Sequence, residues 1–315
     1  MHTGLTVSQL VERLSTARQG SPRRCQIDGI HCMRVGRNDV WRVTLGGAVL
    51  FVTYCQNDGE FHRRLAGIEL TETIARDNPN IAAARLEAVI AESRVIVVQK
   101  APGIAADRLF RLAYRIDKNP FRGRAARGRF LDALASITDF LRAMHQSLPA
   151  SREHLWDHGP ESVVRRVTSH LDRLSQTVAR LRGLRVPALP YPSNTVSDVV
   201  LGDVTLGNFL IDGSRVMCVD FEDLGFGEPR RDFVLLNESL KRALGQWYYW
   251  SDDFRGLVPM VQPDDPWCAM YALEAQLLRV WPELKQPRQR ARLRREVEAA
   301  RRQLLMLNDR VGRSN

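Results

Sequence analysis

The chain has 315 residues, 44% hydrophobic and 26% charged, with a formal net charge of +10, a composition that fits one large or two small globular domains. No apolar run approaches the roughly 18 residues that a membrane span needs, and the opening Met-His-Thr-Gly-Leu-Thr-Val-Ser-Gln lacks the basic region and apolar core of a secretory leader. Five cysteines without a Cys-x-x-Cys pair point to reduced, buried thiols and a cytoplasmic location, and the seven histidines show no metal-ligand spacing.

In chain order, residues 7–18 carry a short helical pattern. From Cys25 the pattern turns extended, and residues 25–35, 40–45 and 48–55 read as three strands of a meander, separated by Gly-Arg-Asn-Asp and Gly-Gly. Residues 60–77 are helical in pattern, with Phe61, Leu65, Ile68 and Ile74 on one side, and Asn78-Pro79-Asn80 stops them. Residues 88–91 and 95–98 read as two further strands, and they lead into Gln99-Lys100-Ala101-Pro102-Gly103.

The stretch 108–129 is strongly basic and contains Gly123 and Gly128, so it reads as a mobile surface segment, either simply solvated or a patch for an anionic partner. Residues 130–145 then form a strong amphipathic helix ending on His145, which reads as a packed structural residue. Residues 162–184 are helical again, until Pro187, Pro190 and Pro192 break the pattern.

Residues 201–223 are the most informative part of the chain. Phe209-Leu210-Ile211 is a short apolar run, Asp212-Gly213 is a strong turn signal, and residues 216–219 form a second apolar run. Such a hairpin brings Asn208, before the first strand, and Asp220, after the second, to one edge, with Asp203 facing them from the preceding loop. Two carboxylates and an amide converging in this way are what phosphoryl transfer needs, one to orient the attacking hydroxyl and two to hold magnesium on the phosphates.

Beyond residue 232, positions 233–244 continue as a helix, and Trp247-Tyr248-Tyr249-Trp250 precede Asp252 and Asp253. Residues 285–315 hold ten Lys/Arg against three Asp/Glu, a local charge of +7 that leaves only about +3 for the rest. Leu293, Val297, Ala300, Leu304 and Leu307 mark an amphipathic helix there. Its arginine face is either solvated or a surface for polyanions, the first being preferred, so nucleic acid is not the favoured partner.

The run Gly-Asp-x4-Asn-Phe-Leu, the hairpin, Val-Asp-Phe-Glu-Asp and the later Pro-Arg-Arg-Asp-Phe resemble the aminoglycoside phosphotransferase and choline kinase group. The resemblance spans roughly residues 35–250, and its specific motifs are confined to 201–232. It implies an α+β, bilobal protein-kinase-like fold, with a small β-rich N-lobe and a larger helical C-lobe. The N-terminal nucleotide-clamping lobe would be 1–98, the hinge 99–103, and the C-terminal catalytic and substrate-binding lobe 104–315.

The same resemblance implies that Asp203 is the catalytic base, that Asn208 and Asp220 bind Mg2+, and that Asp232 braces the loop. Arg37 would lie in the phosphate-covering turn, Gln99 and Ala101 at the base-binding hinge, and Glu222, Asp252 and Asp253 near the acceptor. Two usual supports differ. Leu201 stands where the family has His, and Thr53 stands where a strand lysine would pair with the phosphates and with a helix glutamate, a position that Glu69 matches by spacing. Arg37, Arg42 and Arg63 are candidate replacements for that lysine.

The function implied is a small-molecule kinase that transfers the γ-phosphoryl of ATP or GTP to a hydroxyl of an aminoglycoside, a sugar- or nucleoside-type antibiotic, or a biosynthetic intermediate. The alternative is a pseudokinase-like protein that binds nucleotide or regulates without phosphotransfer, and nucleotidyl transfer on the same fold is a third reading. Oligomeric state leaves no mark on the sequence.

Overall fold

The computed structural model describes residues 30–34, 39–45, 48–114, 120–190, 198–244, 258, 261–262, 265–284 and 290–314. The expected helix at 7–18, Arg37, the aromatic run 247–250, and Asp252 and Asp253 lie outside them.

The chain opens with β1 (Ile30–Arg34), β2 (Asp39–Leu45) and β3 (Ala48–Tyr54), followed by α1 (Asp58–Asp77), β4 (Leu86–Ile90) and β5 (Val95–Gln99). The five strands form an antiparallel sheet in the order β1-β2-β3-β5-β4. Strand alternation gives the sheet two different faces. Leu50, Val52 and Tyr54 are buried with Trp41, Val43, Val95 and Val97 on one, while Phe51 and Thr53 point from β3 into a cleft.

Helix α1 starts at Asp58, two residues ahead of its apolar pattern, because Asn57 caps it. The Asn57 side chain accepts the Glu60 N–H at 2.9 Å, a contact worth about 1 kcal/mol in comparable caps. Phe61, Ile68 and Ile74 of α1 join a core cluster that also holds Ile96 of β5 and, beyond residue 103, Phe140, Phe209, Phe221 and Leu236. The apolar interior therefore runs continuously past the expected hinge.

After the hinge come β6 (Ile104–Ala105), α2 (Ala106–Tyr114) and α3 (Pro120–His145). The basic stretch read as a mobile segment is thus largely helical, and α3 passes through Gly123 and Gly128 without a break. Pro120 at the start sets φ for the first turn. The stripe Phe130, Leu134, Ile137, Leu141 and Met144, all fully buried, outweighs the roughly 1 kcal/mol that each helical glycine costs.

The remaining elements are β7 (Trp156–His158), α4 (Pro160–Thr177), β8 (Asp198–Val200), β9 (Phe209–Asp212), β10 (Arg215–Cys218), β11 (Gly225–Gly227), α5 (Pro229–Leu244), α6 (Pro266–Leu284) and α7 (Arg290–Ser314). Strands β10, β9 and β6 make one small sheet, and β7, β11 and β8 another. Val297, Ala300, Leu304 and Leu307 of α7 are buried with Leu171 of α4 and Met270 and Leu277 of α6, so this helix docks by its apolar stripe. Among the described residues, Cys55, Cys218 and Cys268 are buried thiols outside any disulfide.

Candidate active site

The β9–β10 hairpin is tighter than its sequence signal suggests. Asp212 pairs directly with Arg215, so the turn is Gly213-Ser214, and Gly213 takes φ +60°, the left-handed value that a two-residue turn with glycine first requires. Pairing continues past the strand ends, with the Val219 N–H donating to the Asn208 carbonyl at 3.0 Å. This fixes Asn208 and Asp220 at one edge. The Asn208 side-chain amide donates to the Asp203 carbonyl at 3.1 Å and to its Oδ2 at 3.3 Å, which gathers all three residues.

The loop that carries Asp203 is held from below by backbone bonds. Asp232 Oδ2 accepts the Leu201 N–H at 2.7 Å, and its Oδ1 accepts the Gly202 N–H at 3.1 Å. His145 Nε2 lies 3.1 Å from the same Oδ2. Leu201 itself is buried, so its side chain packs while its backbone does the tethering. Gly202 sits at φ +85°, and a Cβ there would come within 2.0 Å of the Asp223 carbonyl oxygen. Only glycine permits that approach.

Beneath the loop lies a buried ionic network. Arg231 donates to the Gly202 carbonyl at 2.8 Å and to Glu274 at 3.0 Å, while Arg166 holds the other Glu274 oxygen at 2.8 Å. The two guanidiniums offset the desolvation of Glu274 and hold its carboxyl down at about 2. His158, pushed down to about 3 by burial and by Arg231 and Arg166, stays neutral. Its Nε2 lies 2.7 Å from the Asp223 carbonyl oxygen, and its Nδ1 lies 3.3 Å from Arg166 Nη2. These partners set the tautomer: Nε2–H donates and Nδ1 accepts.

Asp203 shows the opposite shift. Burial first, then the nearby Asp223 and Asp220 carboxylates, push its carboxyl up to about 6. A carboxyl poised there suits a group that must accept a proton near neutral pH.

Asn208 and Asp220 line a cleft of about 550 Å3 together with Gln99, Lys100, Ala101 and Gly103 of the segment expected to be a hinge. Phe51, Thr53, Ile96 and Val98 of the sheet face the same space and give it a largely apolar wall. Lys100 is tied back to β3, its N–H donating to the Val49 carbonyl at 2.7 Å.

Glu69 does not meet Thr53. It is exposed and borders a separate hollow on the other side of α1, beside His62 and His154, because it sits one helical step beyond the inward-facing Ile68. Arg63 also turns away from the cleft, donating to the carbonyls of Glu222 at 2.6 Å and His154 at 3.0 Å with its guanidinium 4.6 Å from the Trp156 ring centre. Arg42 is exposed and outside the cleft lining.

The cation that does reach the site is Arg64, which the sequence reading missed. It lies 3.2 Å from Glu60, 3.2 Å from Asp220 and 3.1 Å from Glu222. The available signal was the Glu60–Arg64–Ile68 spacing, one residue at each turn along a single helix face. Glu222, expected near an acceptor, is one of these three partners.

The donor set suits a hard divalent cation. Asp220 offers a carboxylate and Asn208 an amide oxygen, and Mg2+ takes one or two such groups and completes its shell with phosphate oxygens and water. Among the described residues no cluster of three or more His, Cys, Asp or Glu forms a ready-made metal cage. The repulsion between Asp203, Asp220 and Asp223 that raises the Asp203 carboxyl is what such a cation would relieve.

No family model and no curated protein matches the sequence. Solved structures do match the fold. The amicoumacin kinase hAmiN, in complex with AMP-PNP, Ca2+ and Ami, aligns with a TM-score of 0.57 at 15% identity over 94% of this chain and 96% of that one. The GDP complex of wild-type aminoglycoside 2'-phosphotransferase-IIIa aligns with a TM-score of 0.52 at 10% identity over 94% and 98%. The aminoglycoside phosphotransferase APH(3'')-Id from Streptomyces rimosus aligns with a TM-score of 0.51 at 16% identity over 87% and 99%. The chain thus has the α+β, two-lobed kinase-like fold of these proteins, as the motif between Gly202 and Phe221 led one to expect.

Proposed function

We propose that this protein is a small-molecule kinase that transfers the γ-phosphoryl of ATP or GTP to a hydroxyl of an aminoglycoside, a sugar- or nucleoside-type antibiotic, or a biosynthetic intermediate. The observation that carries this reading is that Asn208, whose side chain holds Asp203, lines with Asp220 the same cleft as Gln99, Lys100 and Ala101. The solved neighbours support it by what they bind: AMP-PNP in one and GDP in another.

In this reading residues 1–98 clamp the nucleotide, 99–103 receive its base along the backbone, and 104–315 supply the chemistry and the acceptor pocket. Asp203, half-buried and with a raised affinity for a proton, accepts the hydrogen bond of the acceptor hydroxyl and aims its oxygen at the γ-phosphorus. Asn208 keeps that carboxylate in place. Asp220 and Asn208 would hold Mg2+, which neutralises charge developing on the phosphates when bound. The Arg166–Glu274–Arg231 network and Asp232 fix the loop so that the carboxylate is in position before substrate arrives.

Thr53 in place of a lysine favours the second reading, a nucleotide-binding protein without turnover. The two separate in one experiment. Magnesium-dependent binding of ATP and GTP is measured, and then nucleotide consumption across a panel of hydroxylated acceptors. Binding with acceptor-dependent consumption supports the kinase, binding without consumption on any acceptor supports the second reading, and no magnesium-dependent binding defeats both.

A further inference from the structure

The cleft presents a charge problem that its strands do not solve. Four phosphate oxygens or more must be met by a cation near Asp220, and the third strand offers only the Thr53 hydroxyl. Among the described residues, the cations lining the cleft are Arg64 and Lys100. Lys100 follows Gln99, which pairs with Leu50, whereas Thr53 pairs with Ile96. Lys100 thus stands opposite Val49, to whose carbonyl its N–H donates, and four residues of strand put it about 13 Å from the Thr53 position.

Arg64 stands beside Asp220. Its side chain is 13% exposed, and its contacts run through Nε to Glu60 and through Nη2 to Asp220 and Glu222. Among the described residues that leaves Nη1 of a five-donor guanidinium to face a ligand. Glu60 is buried, one turn before Arg64 on the same helix, and so orients it from behind. The helix itself is pressed onto the segment that follows β10 and carries Asp220: a Cβ on Gly67 would come within 2.2 Å of the Phe221 ring. Arg64 therefore cannot drift far from Asp220 without moving α1 as a whole.

We propose that Arg64, carried by α1 rather than by the third strand, is the cation that anchors the β- and γ-phosphates of the bound nucleotide, with Glu60 holding it in position. This rests on the kinase-fold reading of the cleft, and it replaces the strand-lysine and helix-glutamate pair by an arginine and a glutamate one turn apart on a single helix. Asp220 and Glu222 keep the guanidinium at the site until phosphate arrives. A divalent cation on Asp220 would then take over their compensation, so that the planar donor fork can turn to phosphate oxygens in the bidentate manner that arginine favours.

The test is calorimetric binding of the β,γ-imido analogues of ATP and GTP with magnesium, beside AMP and GMP, to wild type, Arg64→Gln and the double variant Thr53→Lys/Arg64→Gln. Arg64→Gln is expected to weaken binding of the triphosphate analogue about 10- to 100-fold and to leave monophosphate binding within about 2-fold. The double variant places an ammonium in the same cleft, with Glu60, Asp220 and Glu222 to hold it, and is expected to recover most of the lost affinity.

Equal triphosphate binding by wild type and Arg64→Gln overturns the assignment while leaving the kinase reading standing. If wild type binds neither analogue, the kinase reading itself falls. If Arg64→Gln does not fold, Arg64→Met, which keeps the packed stem of the side chain, takes its place: a loss of triphosphate affinity with monophosphate affinity unchanged supports the assignment, and triphosphate binding equal to wild type overturns it.

Discussion

The Leu201 N–H donates to Asp232 Oδ2 at 2.7 Å, so the loop that carries Asp203 is tied down through the backbone of the residue whose side chain departs from the family pattern. The tether that a histidine would supply is replaced by amide hydrogen bonds and by His145, which reaches the same oxygen from α3. The Leu201 side chain is then free to pack into the core, where it is 1% exposed.

Introducing the histidine that the resembled kinases carry at this position is accordingly expected to harm the protein. Leu201→His would place an imidazole in an apolar pocket while Asp232 Oδ2 is already engaged twice, at a cost of about 1–3 kcal/mol. A urea titration checks the loss of stability. A more stable Leu201→His variant with higher turnover would refute the view that the backbone already does this work.

Asp203→Asn should lower turnover about 10²- to 10⁴-fold, with nucleotide affinity changed little, because Asn208 and Asp220 remain. In the wild type, activity should fall in acid, at or below pH 6 where the Asp203 carboxyl takes up its proton, with a cation on Asp220 moving that point downward. A rate with no fall in acid would remove Asp203 as the base.

The same raised carboxyl has a consequence for stability. Its folded value of about 6 lies above its ordinary 3.8, so folding favours the protonated form, and its contribution is fully present below 3.8 and lost as pH rises through 6. Asp203→Asn, which removes a repelled half-buried charge, should therefore raise the stability of the nucleotide-free protein at pH 8 by about 1 kcal/mol or more. Thermal melting at pH 8 and pH 4 tests this, since the gain should shrink at the lower pH.

Gly67→Ala probes the contact between α1 and Phe221, in the segment that follows β10. The added methyl would lie 2.2 Å from the Phe221 ring, and overpacking of this kind costs about 1–3 kcal/mol. Part of that cost should appear as weaker magnesium–nucleotide binding, because the displacement separates Arg64 from Asp220. Unchanged nucleotide affinity together with lost stability would show that the contact serves the core alone.

Glu274→Gln should be the most destabilising of these changes, by about 3–5 kcal/mol, since it leaves Arg166 and the fully buried Arg231 without their shared carboxylate. With a folded value near 2 against an ordinary 4.5, Glu274 contributes fully above 4.5 and loses that contribution as pH falls toward 2. His158, about 3 against 6.5, begins the same decline earlier, as pH falls below 6.5. Denaturant midpoints from pH 7 to 3 should drop throughout in the wild type. In Glu274→Gln the part of that drop below 4.5 should be smaller.

Much of this fold was legible in local sequence patterns. Strand alternation in 48–54 and the apolar stripes of α3 and α7 are local periodicities, and each of these elements formed close to where its pattern lies. The Asp203, Asn208 and Asp220 spacing could be read because a two-residue hairpin is a short-range device, so its two ends must meet wherever the rest of the chain goes.

What only the tertiary structure decided is which cation meets those carboxylates. Arg63, Arg64 and Glu69 all lie on one helix, and their spacing is compatible with several orientations of it. Gly67 against Phe221 and the burial of Phe61 and Ile68 fix the rotation about its axis. One residue of helix turns a side chain by about 100°, enough to send Arg63 to backbone carbonyls, Glu69 to the outer surface, and Arg64 alone of the three into the cleft.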